Sequence, residues 1–181
     1  MPDQESHNKP EANTEGMGKR MMIIAWIIAI GLATWFFGNI EEERYNPNQS
    51  PSSFSERDIV KVELERNRYG HYVTTGVIDN QEVVFLLDTG ATRVAIPGAL
   101  ESYLNLTRGL SHYAQTANGT AIAYDTEIGY LQIGDIVLDN VKASIIPTMQ
   151  GKEILLGMSA LKQVEFRQKG NFLTLVQQKS P

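Results

Sequence analysis

Residues 83–92 read VVFLLDTGAT, in which five apolar residues, β-branched and aromatic at their start, run directly into an aspartate. A continuous apolar run of this length predicts a strand that is covered on both faces. Asp88 is therefore expected where the chain leaves a dry interior. Because an unpaired buried charge is costly, a carboxylate at that place must be hydrogen-bonded, paired or catalytic. Gly90, two residues further on, lets the backbone turn tightly beside it.

The chain beyond residue 58 consists of short apolar segments separated by turn residues, with little that favours a helix. The Asn-Gly pair at 118–119 is typical of a tight hairpin. Only residues 98–106 and 158–163 resemble short helical turns. We therefore predict an all-β fold, a small closed barrel or sandwich over residues 58–177, with a C-terminal tail at 178–181. The predicted strands are 59–65, 73–78, 81–87, 113–117, 120–124, 127–133, 136–146, 154–156, 164–168 and 172–176.

Residues 21–40 contain no charged side chain. About 20 such residues in a helix rise roughly 30 Å, the thickness of a bilayer core, which predicts a transmembrane helix from Met21 to Ile40. A core helix would show a polar stripe, and this segment has none. A cleavable signal peptide stays open as an alternative, because residues 31–33 offer small side chains at a usable spacing.

The charges that flank this helix predict its orientation. The basic pair at 19–20 precedes it and three glutamates at 41–43 follow it, so the basic side should stay in the cytoplasm. Residues 1–20 are then a disordered cytoplasmic tail, since they are too polar to fold alone. Residues 41–57, rich in Asn, Pro and Ser, predict an extended and solvated linker that holds the β domain clear of the membrane.

Composition excludes several classes of function. Acids outnumber bases by 21 to 16, with no basic cluster longer than two residues, so we expect no nucleic acid partner. The chain has no cysteine, which removes disulfides, thiol catalysis and thiolate metal sites. Its three histidines are too scattered to predict a metal site, and we expect no cofactor. The segment GMSAL at 157–161 lacks the final glycine of a nucleophile elbow, which argues against a serine hydrolase.

Two interpretations of Asp88 follow from its surroundings. It could cap a turn by accepting hydrogen bonds from the amides of Gly90 and Ala91. However, a glycine-tipped hairpin follows at 113–124, and a second apolar strand at 154–156 ends in a glycine and a helical turn. An acid in a low-dielectric place, a mobile cover and a hydrophobic brace are the parts of a water-activating site.

With these motifs in this order, residues 59–177 resemble the retropepsin-like aspartic proteases, and specifically their bacterial branch with a single N-terminal membrane helix. The resemblance implies a single-pass protein of the inner (cytoplasmic) membrane with a periplasmic, or extracytoplasmic, protease domain and a flap hairpin. It implies that Thr89 locks two catalytic loops together and that the flap closes over an extended peptide substrate. The residues it assigns are Asp88 as the catalytic acid, Thr89, Gly90 and Ala91 as support for the catalytic loop, Thr116, Ala117, Asn118 and Gly119 as the flap, and Leu155, Leu156 and Gly157 as the second apolar-glycine motif.

One chain supplies only half of such a site. Water is activated by two carboxylates about 3 Å apart that share one proton, because like charges that close cannot both ionise. Asp125-Thr126 begins like a second copy, but Glu127 follows where glycine is needed. We therefore predict a homodimer through the Asp88 loops, helped by confinement to a membrane, that works as an aspartic endopeptidase. The alternative is an inactive dimerisation or peptide-binding module outside the cytoplasm.

Ala91 carries a prediction about pH. A hydroxyl at this position could donate a hydrogen bond to the catalytic carboxylate and favour its charged form, whereas a methyl group cannot. The sequence therefore predicts a less acidic working range than that of digestive aspartic proteases.

Overall fold

In the computed structural model the described residues are 14–56, 58–116 and 119–178, and the chain divides into two compact units between Glu41 and Glu42. The first unit contains most of helix α1, Thr14–Tyr45. Its side chains from residue 18 to residue 38 are exposed, and Gly18–Tyr45 is long and apolar enough for a membrane span or a signal sequence. The helix is longer at both ends than the predicted 21–40, since Lys, Arg and Glu on either side are good helix formers.

The prediction of a disordered N-terminal tail over residues 1–20 is therefore partly wrong. Residues 14–20 are helical, and residues 1–13 lie outside the described part of the chain.

The second unit is built almost entirely of strands, as predicted. Its short helical segments are a 3₁₀ turn at Gly98–Leu100 and α2 at Met158–Leu161, both shorter than the sequence suggests. The strands are β1 Ser52–Glu56, β2 Ile59–Glu65, β3 Val73–Ile78, β4 Gln81–Leu87, β5 Val94–Pro97, β6 Ser111–Thr116, β7 Gly119–Ile133, β8 Ile136–Ile146, β9 Glu153–Leu156, β10 Glu165–Lys169 and β11 Phe172–Gln178.

These strands form two sheets around one core. The larger has the order β3-β4-β9-β5-β8-β7-β6, and β3 also pairs with β7, so six strands close into a barrel and β6 stands outside the ring. The smaller has the order β1-β2-β11-β10. The predicted closed all-β fold is confirmed. Alternating side chains of β2 turn inward, and the fully buried Phe85, Ile128 and Ile154 pack in the same core.

The prediction that the strand before Asp88 is covered on both faces is wrong for β4 in the single chain. Val83 and Phe85 are buried, but Val84, Leu86 and Leu87 are only half-buried. The strand is thus covered on one face in the single chain, because a barrel has only one inside. Apolar composition alone does not distinguish this from a strand covered on both faces.

The two strands predicted at 120–124 and 127–133 are one long strand, β7. The expected break at 125–126 is missing because Asp125 and Thr126 continue the ladder, opposite Ser144 and Ala143 of β8.

Residues 41–56 do not form the predicted extended linker. Helix α1 continues to Tyr45, β1 pairs with β2, and Asn46 and Asn48 are buried. The Asn48 side chain donates to the carbonyls of Glu65 and Val73 at 2.9 and 2.7 Å and accepts from the Glu65 amide at 2.7 Å. A polar residue that satisfies backbone groups is buried without cost, so a polar composition was a misleading signal here. Arg57 lies outside the described residues.

The C-terminal tail is likewise shorter than predicted where the structure describes it. Gln178 is the last residue of β11 and pairs with Ile59, and residues 179–181 lie outside the described part.

Candidate active site

Asp88 follows directly on strand β4, at the point where this strand runs parallel to β9. The register pairs Leu87 with Leu156, and the Asp88 amide donates to the Leu156 carbonyl at 3.2 Å. The structure therefore brings the Asp-Thr-Gly motif and the second motif at Leu155, Leu156 and Gly157 side by side. Sequence order alone leaves the two motifs about 70 residues apart.

The Asp88 carboxylate is half-buried and has one hydrogen bond within the described residues. Its Oδ1 accepts from the Gly90 amide at 2.8 Å. The Ala91 amide, which was expected to bind the same carboxylate, donates to the backbone carbonyl of Asp88 at 3.2 Å instead. The turn-capping bond is thus present, and it leaves Oδ2 available to a ligand.

Gly90 and Gly157 are needed for reasons of space. Gly90 has no left-handed φ angle, contrary to the tight turn that its type suggests. A Cβ at this position would lie 3.1 Å from Asp88 Oδ1. A Cβ on Gly157 would lie 2.2 Å from the Arg93 carbonyl oxygen and 2.6 Å from that of Ala91.

The second motif therefore supports the Asp88 loop through its backbone. The amides of Met158 and Ser159 donate to the carbonyls of Ala91 and Thr92 at 2.8 and 3.0 Å. A hydrophobic brace was predicted here, and the observed contact is a close approach of two main chains that only glycine permits.

A cavity of about 700 Å³ opens over the Asp88 loop. The loop and β5 form its floor, and β6, the outer strand, forms one wall. The lining residues are Asp88, Gly90, Ala91, Thr92, Arg93, Ala95, His112, Tyr113, Ala114, Gln115, Thr116, Ser144, Ile146 and Leu155.

The predicted flap is the hairpin of β6 and β7. Thr116 Oγ1 donates to the Gly119 carbonyl at 2.7 Å, and Gly119 has a φ of +104°, a conformation that favours glycine. Ala117 and Asn118, predicted at its tip, lie outside the described residues. Thr89 is exposed in the single chain.

A cluster of polar side chains beside Asp88 was missed by sequence reasoning. Arg93 Nη1 donates to Asp125 Oδ1 in an ion pair. His112 Nδ1 lies 3.0 Å from the same oxygen, without the angle of a hydrogen bond, and His112 Nε2 lies 3.5 Å from Ser144 Oγ. Asp125 was interpreted only as an imperfect second motif. The signal available was Arg93 itself, a cation five residues after the Asp-Thr-Gly motif begins.

The described residues offer no group of three or more His, Asp and Glu side chains placed to hold a metal ion. At the edge of the site, Arg108 donates to both carboxylate oxygens of Glu101, at 2.7 and 2.5 Å. This hydrogen bonding raises the pKa of the Arg108 guanidinium, which is positively charged at neutral pH in any case.

The chain is similar to known proteins in sequence and in fold. Residues 74–163 match a protein family described as "gag-polyprotein putative aspartyl protease". A Sinorhizobium sp protein named "Uncharacterized protein in cobV 5'region" is 25% identical over 164 residues, which span 84% of this chain and 70% of that protein.

Two solved structures are similar to this chain. A retropepsin-like aspartic protease from Rickettsia conorii has a TM-score of 0.55 and 24% identity, covering 71% of this chain and 94% of its own. EIAV protease in complex with the inhibitor HBY-793 has a TM-score of 0.42 and 18% identity, covering 53% of this chain and 89% of its own. The first of these likenesses supports the barrel fold described above.

Proposed function

This chain belongs to the retropepsin-like family of aspartic proteases, and on that premise we propose that it is an endopeptidase in which Asp88 activates water. The observation that carries the proposal is the Asp88 carboxylate. It is half-buried in the floor of a large cleft, it has one hydrogen-bond donor among the described residues, and the second motif supports its loop from below. A large cleft on which a few polar groups converge is the usual place for an active site.

The reaction needs two copies of Asp88. The charged carboxylate of one chain takes a proton from water while the water oxygen attacks the peptide carbonyl carbon. The protonated carboxylate of the other chain gives its proton to the carbonyl oxygen, which produces a tetrahedral diol. The first carboxyl group then gives its new proton to the peptide nitrogen while the second carboxylate takes a proton from a diol hydroxyl. The C–N bond breaks to give a carboxylic acid and an amine, and the pair is again singly protonated.

We place the dimer contact at the Asp88 loops. Thr89 and Gly90 are exposed in the single chain, and Leu86 and Leu87 before them are only half-buried. A two-fold axis beside this loop would cover these residues and bring the two carboxylates together. Thr89 would then join the two loops.

The substrate is an extended peptide lying between the flap and the floor of the cleft. Strand β6 is the last strand of its sheet and pairs only with β7 in the described part of the chain. It therefore offers a free edge along the cleft to which a peptide could be added as a further strand. Thr116 and Gly119 of the hairpin would cover the peptide.

Helix α1 is the proposed anchor in an inner membrane. Its apolar segment from Met21 to Ile40 is preceded by two basic residues and followed by three acidic ones. This charge asymmetry favours a cytoplasmic N-terminus and a periplasmic protease domain. A cleaved signal sequence would release the domain to the same side of the membrane.

The test compares three forms of the full chain in detergent against a diverse peptide pool, with cleavage products identified by mass spectrometry. We expect turnover by the wild type and by the exposed-site control Asp139→Asn, and none by Asp88→Asn. Equal turnover by the wild type and Asp88→Asn would overturn the proposal. A wild-type dimer that binds peptides and cleaves none would instead identify the inactive binding module.

A further inference from the structure

Arg93 is the one Lys or Arg side chain among the described residues that line the cleft. Apart from Asp88 itself and His112, the other lining residues are small, apolar or uncharged polar side chains. A substrate side chain that carries a charge would therefore find one permanent positive charge in this cleft. Arg93 is five residues after Asp88 and lines the same cleft, so both side chains are within reach of one bound peptide.

Most of the hydrogen-bonding capacity of Arg93 is unused within the described part of the chain. A guanidinium has five N–H donors, and Nη1 makes the side chain's single hydrogen bond to a described residue, Asp125. The Nε and Nη2 groups have no acceptor in the part of the chain that the structure describes. The Arg93 side chain is 39% exposed. The edge formed by Nε and Nη2 is the edge that usually receives a carboxylate in a bidentate pair.

The guanidinium is also held in position. The Arg93 main chain packs against Gly157, and the next amide, that of Val94, donates to Ser159 Oγ at 3.0 Å. At the other end, Asp125 of β7 fixes the orientation of the guanidinium, and His112 of β6 contacts the same carboxylate oxygen. Because its orientation is fixed in advance, Arg93 loses little side-chain entropy when it binds a ligand.

Other cationic side chains lie near Arg93 but outside the cleft. A second cavity of about 410 Å³ shares Arg93 with the first, and Arg108, Asp125 and Lys142 also line it. Glu101 occupies the hydrogen-bonding edge of Arg108. Asp125 and Glu127 offset part of this positive charge.

We propose that Arg93 is a specificity residue that binds an acidic side chain of the peptide substrate, with Asp125 and His112 as the residues that position it. The proposal rests on the function proposed above and names its substrate class, which is peptides with Glu or Asp at one position near the cleaved bond. A site that hydrogen-bonds a charged group rejects the neutral analogue because its donors are left unpaired. Since Arg93 is partly exposed and shares its charge with Asp125, we expect a preference of about tenfold rather than the larger factors of fully buried sites.

The test measures kcat/KM of the full chain in detergent on a cleaved peptide and on versions with Glu or Gln at each position in turn. The wild type should prefer Glu about tenfold at one position. Arg93→Gln should lower this ratio to about one, and the exchange Arg93→Glu with Asp125→Arg should turn the preference toward Lys. Lys142→Gln is the matched control, since it removes a positive charge from the neighbouring cavity and leaves the cleft intact.

If Arg93 only connects the Asp88 loop to the flap hairpin and binds no substrate, the experiment will give a different result. Arg93→Gln would then change the rate or the stability but leave the Glu-to-Gln ratio as in the wild type, and the proposal would be wrong. Wild-type turnover with no preference for Glu at any position would also overturn it.

A binding experiment distinguishes a failure of this specificity proposal from a failure of the proposed endopeptidase function. Full-length Asp88→Asn and the double variant Asp88→Asn with Arg93→Gln are titrated with two peptide pools that differ only by Glu or Gln at one fixed position. Tighter binding of the Glu pool that depends on Arg93 supports the proposal even where no peptide is cleaved. Equal binding of the two pools, or binding of neither, overturns it. A failure to find Asp88-dependent cleavage in the peptide-pool test counts only against the proposed endopeptidase function.

Discussion

At the scale of single residues, Gly90 and Gly157 both allow close contacts at the Asp88 loop, and the two should respond differently to the same substitution. Gly157→Ala places a methyl group 2.2 Å from the Arg93 carbonyl oxygen, which is backbone and cannot move aside. We expect it to lower the free energy of unfolding by about 3 kcal/mol. Gly90→Ala meets only Asp88 Oδ1, at 3.1 Å, so its cost should be about 1 kcal/mol.

Chemical denaturation of the two variants measures the difference, and turnover adds a second readout. Gly90→Ala should lose activity out of proportion to its stability, because the methyl group displaces the carboxylate from the Gly90 amide. Equal destabilisation by the two substitutions would contradict the different roles given to these glycines.

Ala91 lines the cleft together with Asp88, which makes its pH prediction testable. The substitution Ala91→Ser supplies a hydroxyl that can donate to the charged form of the carboxylate. Because that form is then favoured, it persists to lower pH, and the acid limb of the kcat/KM profile should move down by about one pH unit. Ala91→Cys is the matched control, similar in size but a much weaker donor. A profile that stays in place or moves to higher pH with Ala91→Ser would refute the prediction.

Asp88 could be predicted as a site residue because its signal is local. Five apolar residues before it and a glycine two residues after it lie in one stretch of sequence. The pair of Arg93 and Asp125 could not be predicted in the same way. The two residues are 32 positions apart and meet only because the folded chain brings the start of β5 within reach of β7, on the far side of β8. The half-exposed face of β4 was missed for a related reason, since an apolar sequence does not say which neighbours cover it.

At the scale of elements, the segment after helix α1 is part of the folded β domain. The Asn48 amide group lies between β2 and β3 and takes the place of a strand-to-strand hydrogen bond, and the Thr75 amide donates to the Asn48 carbonyl at 3.0 Å. Asn, Pro and Ser are common both in flexible linkers and at turn positions where side chains bind backbone groups. Composition therefore could not separate the two, and only the hydrogen-bond partners do.

This contact predicts a large effect for Asn48→Ala. The change leaves the Glu65 amide and the Val73 carbonyl without their partner in a buried place, so the free energy of unfolding should fall by about 3 kcal/mol. Gln49→Ala, at the exposed neighbouring position, should change it by less than about 0.5 kcal/mol. Denaturant unfolding of the full chain in detergent compares the two. Equal stability of both variants would restore the interpretation of residues 41–57 as a solvated linker.

At the scale of the whole molecule, the hairpins were predictable and the closure of the barrel was not. The turn at Asp79-Asn80 gives β3 and β4 directly, and both residues adopt the positive φ angles that such a turn needs. The pairing of β3 with β7 joins Val77 to Gln132, and no local pattern encodes a contact over that distance. The second half of the proposed site lies one level further on, because in our proposal another chain supplies it.

A mixing experiment tests that last requirement. Wild type and Asp88→Asn are combined and allowed to exchange at a total concentration that saturates dimerisation. If each site needs two Asp88 carboxylates, activity follows the square of the wild-type fraction, and an equal mixture keeps about one quarter of the full activity. An equal mixture with Asp139→Asn should keep all of it. A linear decline, to about one half with Asp88→Asn, would mean that each chain acts alone, and the shared-proton mechanism would then be wrong.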